Sequence, residues 1–75
     1  MDILAEPIEQ TLTDDGEIQA GALFISVKNT GDQVANVNGE ALPPGQAKSY
    51  PFVGKGYKAI PYEASGTEIL VMTII

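Results

Sequence analysis

Apolar residues along this chain fall in short runs divided by turn formers, and no long window repeats them at the three- and four-residue spacing of a helix face. Gly, Pro, Asn and Asp instead cut the sequence into strand-length pieces. The pattern predicts an all-β domain. Residues 1–12 form a first extended segment, in which Pro7 lacks a ladder donor and so belongs at an edge or a bulge. The acidic turn Asp14-Asp15-Gly16-Glu17 closes it. From Ala22 to Lys28 the residues alternate, with Leu23, Ile25 and Val27 on a face expected in the core and Phe24 and Ser26 on the other.

Asn29-Thr30-Gly31-Asp32 makes the next turn, and Val34 to Val37 return as a short strand. Asn38-Gly39 then stands before Ala41-Leu42, and because both turn residues tolerate positive φ this predicts a tight hairpin. Leu42-Pro43-Pro44-Gly45 stops the chain again before a strand from Gln46 to Phe52, on which Tyr50 and Phe52 share a face and are expected to pack. Gly54-Lys55-Gly56 reads as a flexible link. Tyr57 to Tyr62 form a further strand, with Pro61 pointing to an edge, a bulge or a strand end, and Ala64-Ser65-Gly66 turns into the last strand, Glu68 to Ile75. Six to seven strands in one domain, residues 1–75, predict a small β-sandwich or open barrel.

The last strand departs from the alternation seen elsewhere. It is apolar at nearly every position, and such a run needs cover on both faces of its sheet. Ile69, Val71 and Ile75 occupy one face; Leu70, Met72 and Ile74 occupy the other. One set is expected to fill the domain's own core, and the other makes these six residues the candidate assembly interface. A chain of this size buries only about 60% of the surface its unfolded form exposes. Small domains commonly make up the deficit with disulfides, a metal or oligomerisation, and this one has neither cysteine nor histidine. A homo-oligomer, or a subunit of a larger particle, is therefore expected.

Charge adds to that expectation. The net charge is −6, but residues 1–40 hold eight acids against Lys28 alone, whereas residues 41–75 hold Lys48, Lys55 and Lys58 against Glu63 and Glu68. An acidic half and a mildly basic half suit contact between copies. The acidic balance speaks against nucleic acid as a partner. The start of the chain lacks a basic stretch followed by an apolar core, so no secretory signal is read there, and the terminal apolar run is shorter than the roughly 20 residues of a membrane helix.

The chemistry available is narrow. Without histidine or cysteine there is no nucleophile–base pair and no imidazole or thiolate metal site. Asp14, Asp15 and Glu17 lack the spacing of a calcium loop and read as a solvated turn, and Gly54-Lys55-Gly56-Tyr57-Lys58 lacks the spacing of a phosphate loop. No enzymatic activity, metal or cofactor is expected. A contact loop for carbohydrate or protein is the remaining option, formed by Lys55, Tyr57, Lys58 and Tyr62, with exposed tyrosines as its binding surface.

Val27-Lys28-Asn29-Thr30-Gly31, Val37-Asn38-Gly39, Leu42-Pro43-Pro44-Gly45 and Tyr50 resemble the strand and turn grammar of bacterial and viral immunoglobulin-like modules. A closer likeness extends over residues 23–75. With Ile60-Pro61-Tyr62-Glu63-Ala64-Ser65-Gly66-Thr67-Glu68 and the aliphatic ending, the sequence is similar to short β proteins of tailed bacteriophages and prophages. That resemblance implies a non-enzymatic structural protein of the virion, such as a capsid decoration, head fibre, or neck or tail component. It would be made in the host cytoplasm and would contact its own copies or other virion proteins. The resemblance transfers no functional residues. The competing expectation is a small binding module for cell-surface carbohydrate or protein, and a third is a regulator that caps a partner enzyme.

Overall fold

A computed structural model of the chain describes residue 4 and residues 6–75, so the start of the predicted first segment lies outside the described residues. The described residues are all-β, in eight strands: β1 (Pro7–Leu12), β2 (Gly16–Ile18), β3 (Phe24–Asn29), β4 (Ala35–Val37), β5 (Glu40–Leu42), β6 (Ala47–Tyr50), β7 (Ile60–Glu63) and β8 (Ile69–Ile74). They make two four-stranded antiparallel sheets, ordered β1-β8-β3-β6 and β2-β7-β4-β5. The arrangement is compatible with a small β-sandwich.

The expected strand count was one or two too low, and the missing element is β2. Gly16 and Glu17 belong to a strand rather than to the turn before it, because they pair with Tyr62 and Pro61 of β7. The predicted open barrel is not formed, since the strands divide into two separate sheets. Two other strands are shorter than expected. β6 stops at Tyr50, where Pro51 cannot donate to the ladder, and β7 begins only at Ile60. Pro61 lies within β7, an interior strand rather than an edge. Its carbonyl accepts from Asn38 N–H (2.8 Å), so its nitrogen faces the same hairpin, where the pairing of β4 has already ended and no donor is required.

Four connections cross from sheet to sheet at one end: residues 13–15, 30–34, 43–46 and 64–68. Asn29, the last residue of β3, ties three of them together. Its amide nitrogen donates to the carbonyls of Gln33 (2.6 Å) and Leu42 (2.9 Å). Its side-chain oxygen accepts from Gly31 N–H and from the Thr67 hydroxyl, both at 3.0 Å. The Asn29 backbone adds bonds to Gln46 and Gly45. Asp15 draws in the fourth connection by accepting from Ser65 N–H at 3.1 Å. Gly31 is required by the same packing: a Cβ there would run into the Thr67 hydroxyl and come within 2.6 Å of the Glu68 nitrogen.

The core lies between the sheets. Ile25, Val27, Ile69 and Val71 come from the longer sheet, and Ile18, Ala35, Val37, Leu42 and Ile60 come from the shorter one. Apolar burial of this kind is the main stabilising term, worth about 1.5–3 kcal/mol for each large aliphatic side chain. At the end away from the four connections the longer sheet outruns the shorter. Its inner face there is closed by two long links, which bond through Gly21 N–H to Tyr57 O and Tyr57 N–H to Ala22 O, both at 2.8 Å. The predicted hairpin is present at this end, with Asn38 at φ 54° and Gly39 at φ 79°, the left-handed values its two-residue turn demands. Leu23, expected in the core, is 36% exposed because it sits beyond the covered part of β3.

Candidate functional site

β8 is an interior strand, paired to β1 from Leu12↔Ile69 to Pro7↔Ile74 and to β3 from Asn29↔Ile69 to Phe24↔Ile74. Directly paired residues point to the same side of a sheet, so these registers define both faces. Ile69 and Val71 face inward and are buried. Leu70, Met72 and Ile74 face outward and are half-buried, with Phe24 beside Ile74, Ser26 beside Met72 and Lys28 beside Leu70. On the other flank Pro7, Glu9 and Thr11 oppose the same three residues. The result is a row of three aliphatic side chains that turns at one end into Phe24. Glu9 borders it on one side and Lys28 on the other. Among the residues marked in the sequence for assembly, the fold thus brings Leu70, Met72 and Ile74 to one surface and assigns Ile69 and Val71 to the interior.

Ile75 belongs to neither group. It has the inward parity but lies past the last paired residue and is 57% exposed. It lines a cleft of about 640 Å³ along the β1 side. The cleft exists because β2 ends at Ile18 and the chain then leaves for the longer sheet, so the inner side of β1 is packed against the core only at Leu12. Ile8, Gln10 and Thr73 form one wall, and Glu17, Gln19 and Tyr62 stand among the residues of the other. Chemically it offers one carboxylate, two carboxamides, a hydroxyl and a phenol.

The loop residues singled out for binding do not gather into one exposed surface. Lys55 and Lys58 are exposed, but Tyr57 and Tyr62 are half-buried and pack on the core. Tyr57 donates its hydroxyl to the Pro51 carbonyl at 2.5 Å and sets its ring edge-on to Tyr50, with centroids 5.7 Å apart. Tyr62 stands over Gly16, where a Cβ would come within 2.8 Å of the phenol oxygen. The exposed part of this connection also carries apolar side chains: Phe52, expected to pack beside Tyr50, is 62% exposed, and Val53 is 60% exposed. Ending β6 at Pro51 removes Phe52 from the face that its parity with Tyr50 implied.

Tyr50 carries the one buried side-chain polar atom without a hydrogen-bond partner among the described residues, its hydroxyl oxygen. Lys48 approaches the face of the same ring, 5.7 Å from its centroid. An unpaired buried hydroxyl costs about 1–3 kcal/mol that a phenyl ring of the same shape does not. Tyr50→Phe should therefore raise the urea midpoint or leave it unchanged. A loss of more than about 1 kcal/mol would mean that the hydroxyl contributes a bond.

No three acidic side chains of the described residues gather in a way that could hold a metal ion, and none of those residues forms a helix long and apolar enough to cross a membrane. Asp15, from the acidic turn, is engaged in holding Ser65. No family model matches the chain, and no curated protein or solved structure is significantly similar to it.

Proposed function

We propose that this protein is a small β-sandwich with a non-enzymatic, structural role, joining its own copies through the outer face of the longer sheet. The observation that carries the reading is the row Leu70-Met72-Ile74 with Phe24, apolar side chains on the solvent side of an interior strand. The core does not need these residues, since Ile69 and Val71 supply it from the same strand. Contiguous apolar surface that folding leaves partly open to solvent, as this half-buried row is, marks an interaction site. Its flanks carry short side chains at Ser26, Ser49, Ala47 and Thr11, which leave the face flat enough for another sheet to approach.

The turn grammar of residues 23–75 supports a setting in the particle of a tailed bacteriophage, as a decoration, head-fibre, neck or tail component. A carbohydrate- or protein-binding loop at residues 55–62 is less well supported. Its two tyrosine rings are committed to the core and one hydroxyl is already bonded. Light scattering across a series from micromolar to millimolar protein tests the structural reading. The expected result is a mass that rises with concentration. A mass of one chain throughout would overturn it.

A further inference from the structure

The outer face of the longer sheet carries a charge on each side of its apolar row, and the two differ in sign. Glu9 lies on β1, opposite Met72; Lys28 lies on β3, opposite Leu70. Both are exposed. β8 runs between them, and the acid and the base are displaced from each other by one step of two residues along the strands, about 7 Å. Such a face is complementary to itself in one orientation of a second copy and not in the other.

Suppose the second copy is turned about an axis parallel to β8. Its β8 then lies over β8, its β3 lies over β1, and distances along the strand are preserved. Glu9 of each copy faces the strand bearing Lys28 of the other, two residues along, a gap that a lysine side chain spans. Two such pairs form, one on each side of the stacked aliphatic rows. Suppose instead that the axis lies across the strands. Each β1 then lies over its counterpart, the acids approach each other, and no opposite charges meet. Like charges brought together select against that second arrangement.

We propose that two copies pack through this face about a two-fold axis running along β8, with Glu9 of each copy paired to Lys28 of the other. The inference rests on the structural reading above and specifies its geometry. A second copy fits better than an unrelated partner because Glu9 and Lys28, on opposite sides of the apolar row, find their opposites on the same face. Six residues at about 3.4 Å and four strands at about 4.8 Å make the face roughly 20 by 19 Å, or about 400 Å² in projection. That is short of the about 800 Å² per partner of a standard stable interface. The dimer is accordingly weak and transient, and sensitive to its two charge pairs.

The test uses the full chain and two variants, Glu9→Lys and Lys28→Glu, with the dissociation constant measured by sedimentation. Each position is exposed, so thermal melts of both variants should match the parent chain. Each variant alone sets like charges against each other twice, and its dissociation constant should rise at least tenfold at low salt, equivalent to about 1.4 kcal/mol. Mixed in equal amounts, the two variants form a heterodimer with both pairs restored, one in the parent polarity and one reversed, and affinity should return to within about threefold of the parent, a difference of under 1 kcal/mol. Added salt should weaken the parent dimer. A parent chain that stays monomeric would overturn the structural reading itself. A parent dimer without rescue in the mixture would overturn the cross-pairing alone. Rescue accompanied by growth beyond two copies would replace the two-fold axis with a head-to-tail contact.

Discussion

Asn29→Ala should remove a large part of the stability of the domain. The side chain makes four hydrogen bonds, and its loss leaves the Leu42 carbonyl and the Thr67 hydroxyl short of a partner in the interior. Buried groups stripped of partners cost about 1–3 kcal/mol each. A domain of this size holds only about 4–11 kcal/mol in total, at about 0.05–0.15 kcal/mol per residue. A loss of about 3–5 kcal/mol is expected in urea denaturation followed by circular dichroism. Asn29→Asp is the sharper variant, because it keeps the shape and replaces a donor with an acceptor facing the carbonyls of Gln33 and Leu42. The folded state would hold that carboxyl protonated to a higher pH than the unfolded chain does. Stability of Asn29→Asp should therefore recover as the pH falls through that window, when the carboxyl again donates. Both variants melting like the parent would remove Asn29 from its place as the tie among the connections.

Val71→Asp and Met72→Asp, neighbours in sequence, should fail in different ways. Val71 is 2% exposed and central to the core, so a carboxylate there loses its water without gaining a partner, a penalty of several kcal/mol that prevents folding. Met72 lies on the outer face, where Asp keeps its hydration; the monomer should lose about 1 kcal/mol or less, chiefly from strand preference. Its self-association should disappear. Circular dichroism and mass in solution, measured on the same samples, separate the two effects. Equal loss of folding would mean that the outer face is as internal as the core, and an unchanged mass for Met72→Asp would remove that face from assembly.

The parts of the fold that sequence makes legible are those fixed locally. Asn38-Gly39 demands left-handed φ at two successive positions, and Pro51 and Pro43-Pro44 end strands wherever the chain goes next. β3 and β8 are readable from their side-chain period, including the division of β8 into Ile69 and Val71 against Leu70, Met72 and Ile74. β2 is not readable, since three residues carry no period and its first residue is a glycine of the kind that usually marks a turn. Asn29 has the composition of a turn residue, and Gly31 does bond to it in that manner, but its burial depends on Gln33, Leu42 and Thr67 arriving from other connections. Tyr57 sits between two exposed lysine-bearing segments and so reads as a surface residue. It turns inward because the longer sheet needs cover where the shorter one has ended. Phe24 joins the apolar row only once β3 is known to lie beside β8, and pairing order is a non-local property.

The position of β8 between β1 and β3 also governs how the molecule is made. Both neighbours precede it in the sequence, so in a chain emerging from the ribosome the longer sheet stays split until the last strand arrives. Of the six strand pairings among the described residues, only β4 with β5 is a local hairpin able to form early. The others wait on loop closures between distant segments, which places folding on the slow, millisecond-to-second scale of β proteins rich in long-range contacts. During that delay Ile25 and Val27 have only part of their eventual cover. The docking of a single strand closes the inner core and lays down the outer apolar row in one event, so an incompletely folded chain presents no finished surface for another copy to engage.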